Sequence, residues 1–169
     1  MPIGTRLAAL EILESEIPGA SRGTSTTEVL LAFTSIQKIR FDDVDGAGIV
    51  YYPQFFHLCH AAFEDFFDTA APVSYPALVG DRKLGFPTVC IQSTFKEPLS
   101  YGDVAIVELT VRDIGKTSVT FAYDIRRKRD GLLCFSAEIK TVLVDLKTLR
   151  PVALDEEFRM IFSRFLVPA

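Results

Sequence analysis

The run 42-DDVDGAGIVYYPQFFHLCHAAFEDFFDTA-70 decides the fold, because an irregular stretch rich in aspartate and glycine leads directly into one long helix. Pro53 stands where that helix would begin, and proline suits the first helical turn. Apolar side chains then recur at helical spacing and cover more than half of the circumference, namely Phe55, Phe56, Leu58, Cys59, Ala62, Phe63, Phe66 and Phe67. So wide an apolar face predicts a helix that a large partner encloses on most sides.

The partner predicted for this helix is a sheet. Four strand-like runs follow it, at residues 88–96, 104–113, 118–127 and 133–145. Short turn sequences join these runs, which predicts antiparallel pairing of consecutive strands. Residues 27–41 predict a first strand, and a last helix is predicted from the N-cap residue Asp155 to Phe165. The predicted class is α+β, with an antiparallel sheet wrapped around one long central helix.

The length of 169 residues fits one domain with a substantial core. Residues 1–24 predict a short amphipathic helix and a linker, an N-terminal extension, and residues 25–169 form the expected folded domain. The acidic residues within the apolar part of this extension are unlike those of a signal peptide. No apolar run approaches the roughly 20 residues of a membrane span.

Charge and cysteine content narrow the expected partners and compartment. The net charge of −4 argues against a general binder of nucleic acid or of membrane surfaces, both of which require excess basic residues. Cys59, Cys90 and Cys134 are odd in number and lie in apolar contexts. They predict buried free thiols in a reducing compartment, and therefore a cytoplasmic protein.

The chemistry is expected where Asp42, Asp43 and Asp45 precede two glycines and the start of the helix. Gly46 and Gly48 permit positive φ angles and the close approach of a ligand to the main chain. The helix N-terminus offers unpaired N–H groups to a developing oxyanion, and a carboxylate beside it could attack a carbonyl or activate water. Such stretches are also common as simple turns. The late ligands of a calcium loop are missing, so no metal site is predicted.

Two segments resemble one known family. The first, "FDDVDGAGIVYYPQFF" at residues 41–56, is similar to the signature of the 4-hydroxybenzoyl-CoA thioesterase family of hotdog proteins. The second, "GFPTVCIQSTFKEPLSYGDVAIVELTVRDIGKTSVTF" at residues 85–121, resembles the strand region of the same family. The resemblance extends over residues 34–145. It implies the hotdog fold, which is the same helix-in-sheet architecture that the periodicity predicts.

The resemblance also implies a reaction, the hydrolysis of an acyl-CoA or aryl-CoA thioester without a metal or redox cofactor. Asp45 matches the family's catalytic aspartate, as nucleophile or general base. Tyr52 matches the residue whose backbone N–H polarises the thioester carbonyl, and the Gly48 backbone would lie against the acyl–sulfur region. Members are usually homodimers or homotetramers with sites between subunits, which implies the same here.

Further site residues are expected from the helix and from a turn. His60 is a candidate for the acyl pocket, although the hydroxybenzoyl branch carries an acid at that position, which argues against a hydroxybenzoyl substrate. Glu64 is a second acid of the helix, and in another hotdog branch a helix glutamate performs the catalysis. Because Glu64 lies about three turns from the helix start and its N–H groups, it is expected to be solvated here. Lys116, Thr117 and Ser118 form a turn that the resemblance assigns to the nucleotide end of coenzyme A. The basic run at residues 126–129 is expected to be a solvated strand end.

Two other functions remain open at the level of sequence. A hotdog hydratase or dehydratase acting on acyl thioesters would need a histidine with an acid, and no histidine lies on the Asp45 loop. A non-catalytic acyl-CoA-binding hotdog protein would share the fold without the chemistry. The Asp-x-Asp-x-Ala-Gly segment favours the enzyme.

Overall fold

A computed structural model describes residues 31–167, so the N-terminal extension predicted for residues 1–24 lies outside the described residues. Eight strands and three α-helices follow one another in the described part of the chain, together with a short 3-10 turn at Phe41–Asp43. In chain order they are β1 (Phe33–Lys38), α1 (Tyr52–Thr69), α2 (Tyr75–Gly80), β2 (Leu84–Gly85), β3 (Thr88–Phe95), β4 (Val104–Ile114), β5 (Ser118–Arg127), β6 (Leu133–Val142), β7 (Val144–Asp145), β8 (Arg150–Pro151) and α3 (Glu156–Ser163).

The main sheet has five antiparallel strands in the order β1-β4-β5-β6-β3, and β2, β7 and β8 form a small second sheet. The predicted helix and strands are confirmed to within a few residues, and the run at 133–145 divides into β6 and β7. The predicted α+β fold is therefore confirmed. None of the described helices is long and apolar enough to cross a membrane.

The predicted pairing of consecutive strands holds for β4, β5 and β6 but is wrong for β3. This strand pairs with β6 at the far edge of the sheet, because β1 already occupies the free edge of β4. Three strand spacings, about 14 Å, separate β3 from β4. The eight residues 96–103 can span about 26 Å and cross the end of the sheet easily.

Burial of α1 organises the core. Its buried residues are Phe55, Leu58, Cys59, Ala62, Phe63, Phe66 and Phe67, which are those of the predicted apolar face apart from the partly buried Phe56. Helix α3 begins at Asp155, whose side chain accepts a hydrogen bond from Phe158 N–H, as expected of an N-cap. Its Phe162 ring stacks on Phe66 with centroids 6.3 Å apart, so α3 covers the part of α1 that the sheet leaves open.

We predict that Phe66→Ala destabilises the protein by about 3–5 kcal/mol, because it removes a fully buried ring and leaves a cavity among five other phenylalanines. Phe41→Ala is the matched control, since the Phe41 ring is 79% exposed. Its cost should stay below about 1 kcal/mol. Urea unfolding followed by circular dichroism measures both. Equal losses in the two variants would contradict the central place of Phe66 in the core.

Candidate active site

A narrow hairpin at residues 44–50 presents the first candidate side chain. Asp45 N–H donates to Ile49 O at 3.0 Å, and Gly48 N–H donates to Asp45 O at 2.9 Å. Gly48 has a φ of +77°, the left-handed conformation that closes a three-residue hairpin loop. The expected positive φ is therefore found at Gly48. It is not found at Gly46, which occupies an inner turn position that other residues also adopt.

The two oxygens of the Asp45 carboxylate differ in their hydrogen bonding. Oδ1 accepts a hydrogen bond from Ala47 N–H at 2.8 Å, which fixes the turn. Among the described residues, nothing donates a hydrogen bond to Oδ2. Asp45 is exposed, and its side chain lines a cleft. The residue is thus a turn residue and an accessible carboxylate at once.

The start of α1 has one free donor rather than several. Tyr52 is the first helical residue, Pro53 has no N–H, and Gln54 N–H donates to Tyr51 O at 2.8 Å. Within the described chain, no backbone oxygen accepts from Tyr52 N–H. The positive end of the helix dipole is therefore concentrated on the Tyr52 N–H, which suits an oxyanion.

Asp45 and Tyr52 line the same open cleft, whose volume is about 530 Å³. Most of its other walls are apolar, and they are formed by Ile49, Val50, Tyr51, Phe55, Phe95, Lys96, Glu97 and Pro98. A mostly apolar cleft with few converging polar groups is typical of a small-molecule site. A groove of about 560 Å³ on the outer face of the sheet has many polar and charged residues in its walls and contains none of the site residues expected from the sequence.

A buried arginine, Arg127, holds the loop that packs against the Asp45 hairpin. Val50 N–H donates to Leu99 O at 2.8 Å, which joins the Asp45 hairpin to the loop before β4. Arg127 Nη1 donates to Pro98 O in this loop at 2.7 Å, and its Nη2 lies 2.8 Å from Asp130 Oδ2. This arginine therefore connects the β5–β6 turn to the loop against which the Asp45 hairpin packs.

The expectation of a solvated basic run is wrong at Arg127, whose side chain is only 9% exposed. Arg126 and Arg129 are partly exposed, as expected. Strand alternation contained the signal, because Arg127 follows the buried Ile125 by two residues and so lies on the same inner face of β5.

His60 lies two turns along α1 from Tyr52 and is not part of the cleft. Its Nε2 is 3.1 Å from Glu64 Oε1, and its ring stacks on Phe63. Both His60 and Glu64 are largely exposed on the helix surface. His60 instead lines a small pocket between α1 and β3.

Lys116, Thr117 and Ser118 lie at the opposite end of the sheet from Asp45. The Asp45 hairpin packs at the end of β4 where that strand begins, and Lys116 follows the other end. Ten residues of strand separate the two ends, which corresponds to about 33 Å. The structure therefore does not bring this turn to the Asp45 site within one chain.

The cysteines do not form a reactive centre. Cys59 and Cys134 are buried as expected, and burial raises the pKa of the Cys59 thiol to about 12. Cys59 therefore stays a neutral thiol near pH 7. The expectation of burial is wrong for Cys90, which is exposed because β3 is an edge strand with one unpaired side.

Comparisons with known proteins identify a family for this chain. Residues 39–162 match the thioesterase-like superfamily. The 1,4-dihydroxy-2-naphthoyl-CoA hydrolase of Synechocystis is 25% identical over 127 residues, which is 75% of this chain and 91% of that protein. The acyl-CoA thioesterase YbgC of Haemophilus influenzae is 23% identical over 125 residues, 74% of this chain and 90% of the relative.

A solved structure shares the fold. The crystal structure of a 1,4-dihydroxy-2-naphthoyl-CoA thioesterase from Synechocystis has a TM-score of 0.71 at 24% identity, over 78% of this chain and 96% of that one. The hotdog fold and the enzyme class inferred from the sequence, a thioester hydrolase, are confirmed by these relatives. The more specific resemblance to the 4-hydroxybenzoyl-CoA branch is not confirmed.

We predict that Arg127→Met lowers kcat by about ten- to a hundred-fold, because the loop behind the Asp45 hairpin loses its anchor and the reacting groups shift. Arg126→Met removes an exposed arginine from the same strand and should change kcat less than about two-fold. Steady-state hydrolysis of one thioester by both variants measures the difference. Equal effects would contradict the role of Arg127.

The ion pair between Arg127 and Asp130 should also contribute to the free energy of unfolding in a pH-dependent way. The hydrogen bond from Arg127 lowers the pKa of Asp130 below its ordinary value of 3.8. Its stabilising effect is therefore present above about pH 4 and is lost as the pH falls through the lowered pKa. The difference in Tm between wild type and Arg127→Met should shrink as the buffer is acidified below pH 4.

Proposed function

The chain belongs to the thioesterase-like superfamily, and from that premise we propose that it hydrolyses the thioester bond of an acyl-CoA or aryl-CoA, releasing a free acid and coenzyme A. One observation carries the proposal. Two residues that line the same mostly apolar cleft are Asp45, which has an accessible carboxylate, and Tyr52, whose N–H at the start of α1 has no backbone acceptor in the described chain. A carbonyl held by this N–H would lie within the cleft that the carboxylate faces.

The proposed mechanism gives each group one task. The Tyr52 N–H binds the thioester oxygen and stabilises the negative charge that develops on it. Asp45 takes a proton from water, the resulting hydroxide attacks the carbonyl carbon, and the C–S bond breaks. The thiolate of coenzyme A then takes the proton that Asp45 had accepted, which restores the carboxylate. In the covalent alternative, Asp45 attacks the carbonyl itself, coenzyme A leaves, and water hydrolyses the acyl–Asp45 anhydride.

The turn geometry supports this use of Asp45. Oδ1 is committed to Ala47 N–H, so the side chain is held in one orientation with Oδ2 unoccupied. The left-handed Gly48 has open space where a Cβ would stand, so its backbone can lie against the acyl–sulfur region of a bound thioester. Hydrolysis changes no oxidation state, and the proposed chemistry needs no metal or redox cofactor.

The acyl group is proposed to be apolar or aromatic, because Phe55 and Phe95 form the wall next to Tyr52. The Synechocystis relative acts on a bicyclic aryl-CoA, and the Haemophilus relative is an acyl-CoA thioesterase. His60 occupies the helix position that carries an acid in the hydroxybenzoyl branch, and we propose that it lies at the far end of the acyl group.

The protein is proposed to act as a homodimer or homotetramer through the free edge of β3. Every residue of this strand is exposed, including Val89, Ile91 and Phe95, and one side of its backbone has no strand partner in the described chain. An edge strand of this kind is a template for pairing with a second copy. Lys116, Thr117 and Ser118 could then reach coenzyme A only from another subunit, given their distance from Asp45.

Two competitors differ from this proposal in specific ways. A hydratase or dehydratase would need a histidine in the cleft, and no residue that lines the cleft in the described chain is a histidine. A non-catalytic binder would hold acyl-CoA without turning it over. The proposed cytoplasmic location follows from the free thiols and stays a prediction.

We predict that Asp45→Asn lowers kcat by about 10²–10⁴-fold, because the amide keeps the hydrogen bond from Ala47 N–H but cannot act as base or nucleophile. Asp42→Asn is the matched control, because it removes the same charge three residues away and should keep near-normal kcat. Release of the coenzyme A thiol from a panel of acyl-CoA and aryl-CoA esters measures both. Binding of coenzyme A by calorimetry checks that the site of each variant is intact.

Two results would contradict the proposed function. Full activity of Asp45→Asn would remove Asp45 from the mechanism. Binding of the esters by wild type without release of thiol from any of them would identify a binder instead of an enzyme.

We also predict that Ile91→Lys shifts the protein toward the monomer and lowers activity. A charge on the inner face of β3 would be buried when a second copy pairs with this edge. Gln92→Lys is the control, because this neighbour lies on the outer face, where a lysine stays in water. Light scattering coupled to size-exclusion chromatography gives the mass of each variant. A wild-type monomer would contradict the proposed assembly.

A further inference from the structure

A second, smaller pocket lies between α1 and the edge strand β3, and its volume is about 90 Å³. Its walls are mostly aromatic and aliphatic, and they are formed by Phe56, His60, Phe63, Phe86, Thr88, Ile91, Tyr123, Ile139 and Thr141. The reaction steps proposed above use none of these residues, and only His60 has been placed near the acyl group. The pocket therefore needs an account of its own.

Tyr123 is the unusual residue of this pocket, because it is only 3% exposed and yet its hydroxyl makes no hydrogen bond to any described residue. Every fully enclosed side-chain nitrogen or oxygen in the described chain has a hydrogen-bond partner. The Tyr123 hydroxyl is consequently not fully enclosed. Tyr123 lines both this pocket and the groove on the outer face of the sheet, but it alternates along β5 with the buried Phe121 and Ile125, so its side chain lies on the inner face, where the pocket is. A buried hydroxyl without a partner is costly, unless something in the pocket pairs with it.

The hydroxyl is a neutral donor. Burial raises the pKa of Tyr123 well above 10, and its neighbour Cys59 also remains a neutral thiol. A thiol is a weak hydrogen-bond acceptor. What the phenol O–H lacks is an oxygen acceptor, which either a water molecule or a ligand can supply.

The position of the pocket beside the cleft indicates which ligand supplies this oxygen acceptor. Phe56 and His60 lie one and two helical turns after Tyr52, at about 6 and 12 Å along the helix axis. Phe56 lines the pocket, Phe95 lines the cleft, and the centroids of the two rings are 6.5 Å apart. The pocket therefore lies beside the cleft, further along α1 from Tyr52.

We propose that Tyr123 is a specificity-determining residue that donates a hydrogen bond to an oxygen on the distal end of the acyl group. The inference rests on the proposed thioesterase function. The Phe56, Phe63 and Phe86 rings favour a flat aryl group, and the volume admits about one ring or the end of a larger ring system. The preferred substrate is then an aryl-CoA with an oxygen substituent far from the thioester.

The preference arises because a ring without the distal oxygen leaves the Tyr123 hydroxyl without a hydrogen-bond partner. In the free protein, ordered water can pair with the Tyr123 hydroxyl, since the pocket is polar at this point and large enough. A ring oxygen that replaces this water keeps the hydrogen bond. An unsubstituted ring expels the water and leaves a buried hydroxyl unpaired, which should reduce kcat/KM by about ten- to a hundred-fold.

The test compares the naphthoyl-CoA ester with naphthoyl-CoA esters that carry one hydroxyl at different ring positions. For wild type, kcat/KM of at least one hydroxylated ester should exceed that of the parent by about ten-fold or more. In Tyr123→Phe this ratio should fall to about one, because phenylalanine keeps the ring and removes only the hydroxyl. Tyr101→Phe is the matched control, since Tyr101 is 64% exposed and packs on Phe41 away from the pocket, and it should keep the wild-type ratio.

The outcomes separate this inference from the proposed function. If wild type hydrolyses the esters and Tyr123→Phe keeps the wild-type ratio of kcat/KM between hydroxylated and parent esters, the inference is overturned and the thioesterase function stands. If no ester is hydrolysed at all, the proposed function is overturned. Calorimetric binding of the same esters then tests the role of Tyr123 by itself. Equal affinities for the hydroxylated and parent esters would overturn the role of Tyr123 as well.

Discussion

Enclosure of the apolar face of α1 is the constraint on which the rest of the structure depends. Seven side chains of this helix are buried, and no single surface could cover them. The sheet curls around the helix, and α3 closes the remaining side through Phe158 and Phe162. A helix held on so many sides cannot shift along its axis, which fixes the position of its first N–H, that of Tyr52.

The same constraint explains how one short hairpin can serve both the fold and the chemistry. Asp45 closes a tight turn with one oxygen, and the turn is attached to the fixed start of α1 by only a few residues. Pro53 removes one donor and the bond from Gln54 N–H to Tyr51 O occupies another, so a single N–H remains. A turn and a reactive site are therefore compatible interpretations of this segment, because the two carboxylate oxygens have separate roles.

Much of the fold could be predicted from the sequence, because periodicity reports the environment of each side chain along its own element. The long helix, the strands β4, β5 and β6 and the N-cap Asp155 lie where the pattern predicts. The position of β3 could not be predicted, since pairing depends on which sheet edge β1 has taken. The resemblance implies catalytic roles for Asp45 and Tyr52. Both residues line one cleft in the structure, and their roles stay a prediction.

Residues whose role depends on contacts across the fold could not be predicted from the sequence. Arg127 looked like part of a solvated basic run, although its alternation with Ile125 already indicated the inner face. Tyr123 carried no signal, since a tyrosine in a buried strand is ordinary and only the absence of a partner distinguishes it. The distance between Lys116 and Asp45 depends on strand direction and length, which motifs in a linear sequence do not report.

The edge strand β3 connects assembly with catalysis. Its inner-face residues Phe95 and Ile91 form walls of the cleft and of the Tyr123 pocket, yet both are about half exposed in a single chain. An acyl group there would be only partly shielded from water, and electrostatic stabilisation by the Tyr52 N–H is weaker in water than in a dry site. A second copy paired along β3 would cover the same side chains. The edge that makes the single chain prone to association is thus the part of the site that association would complete.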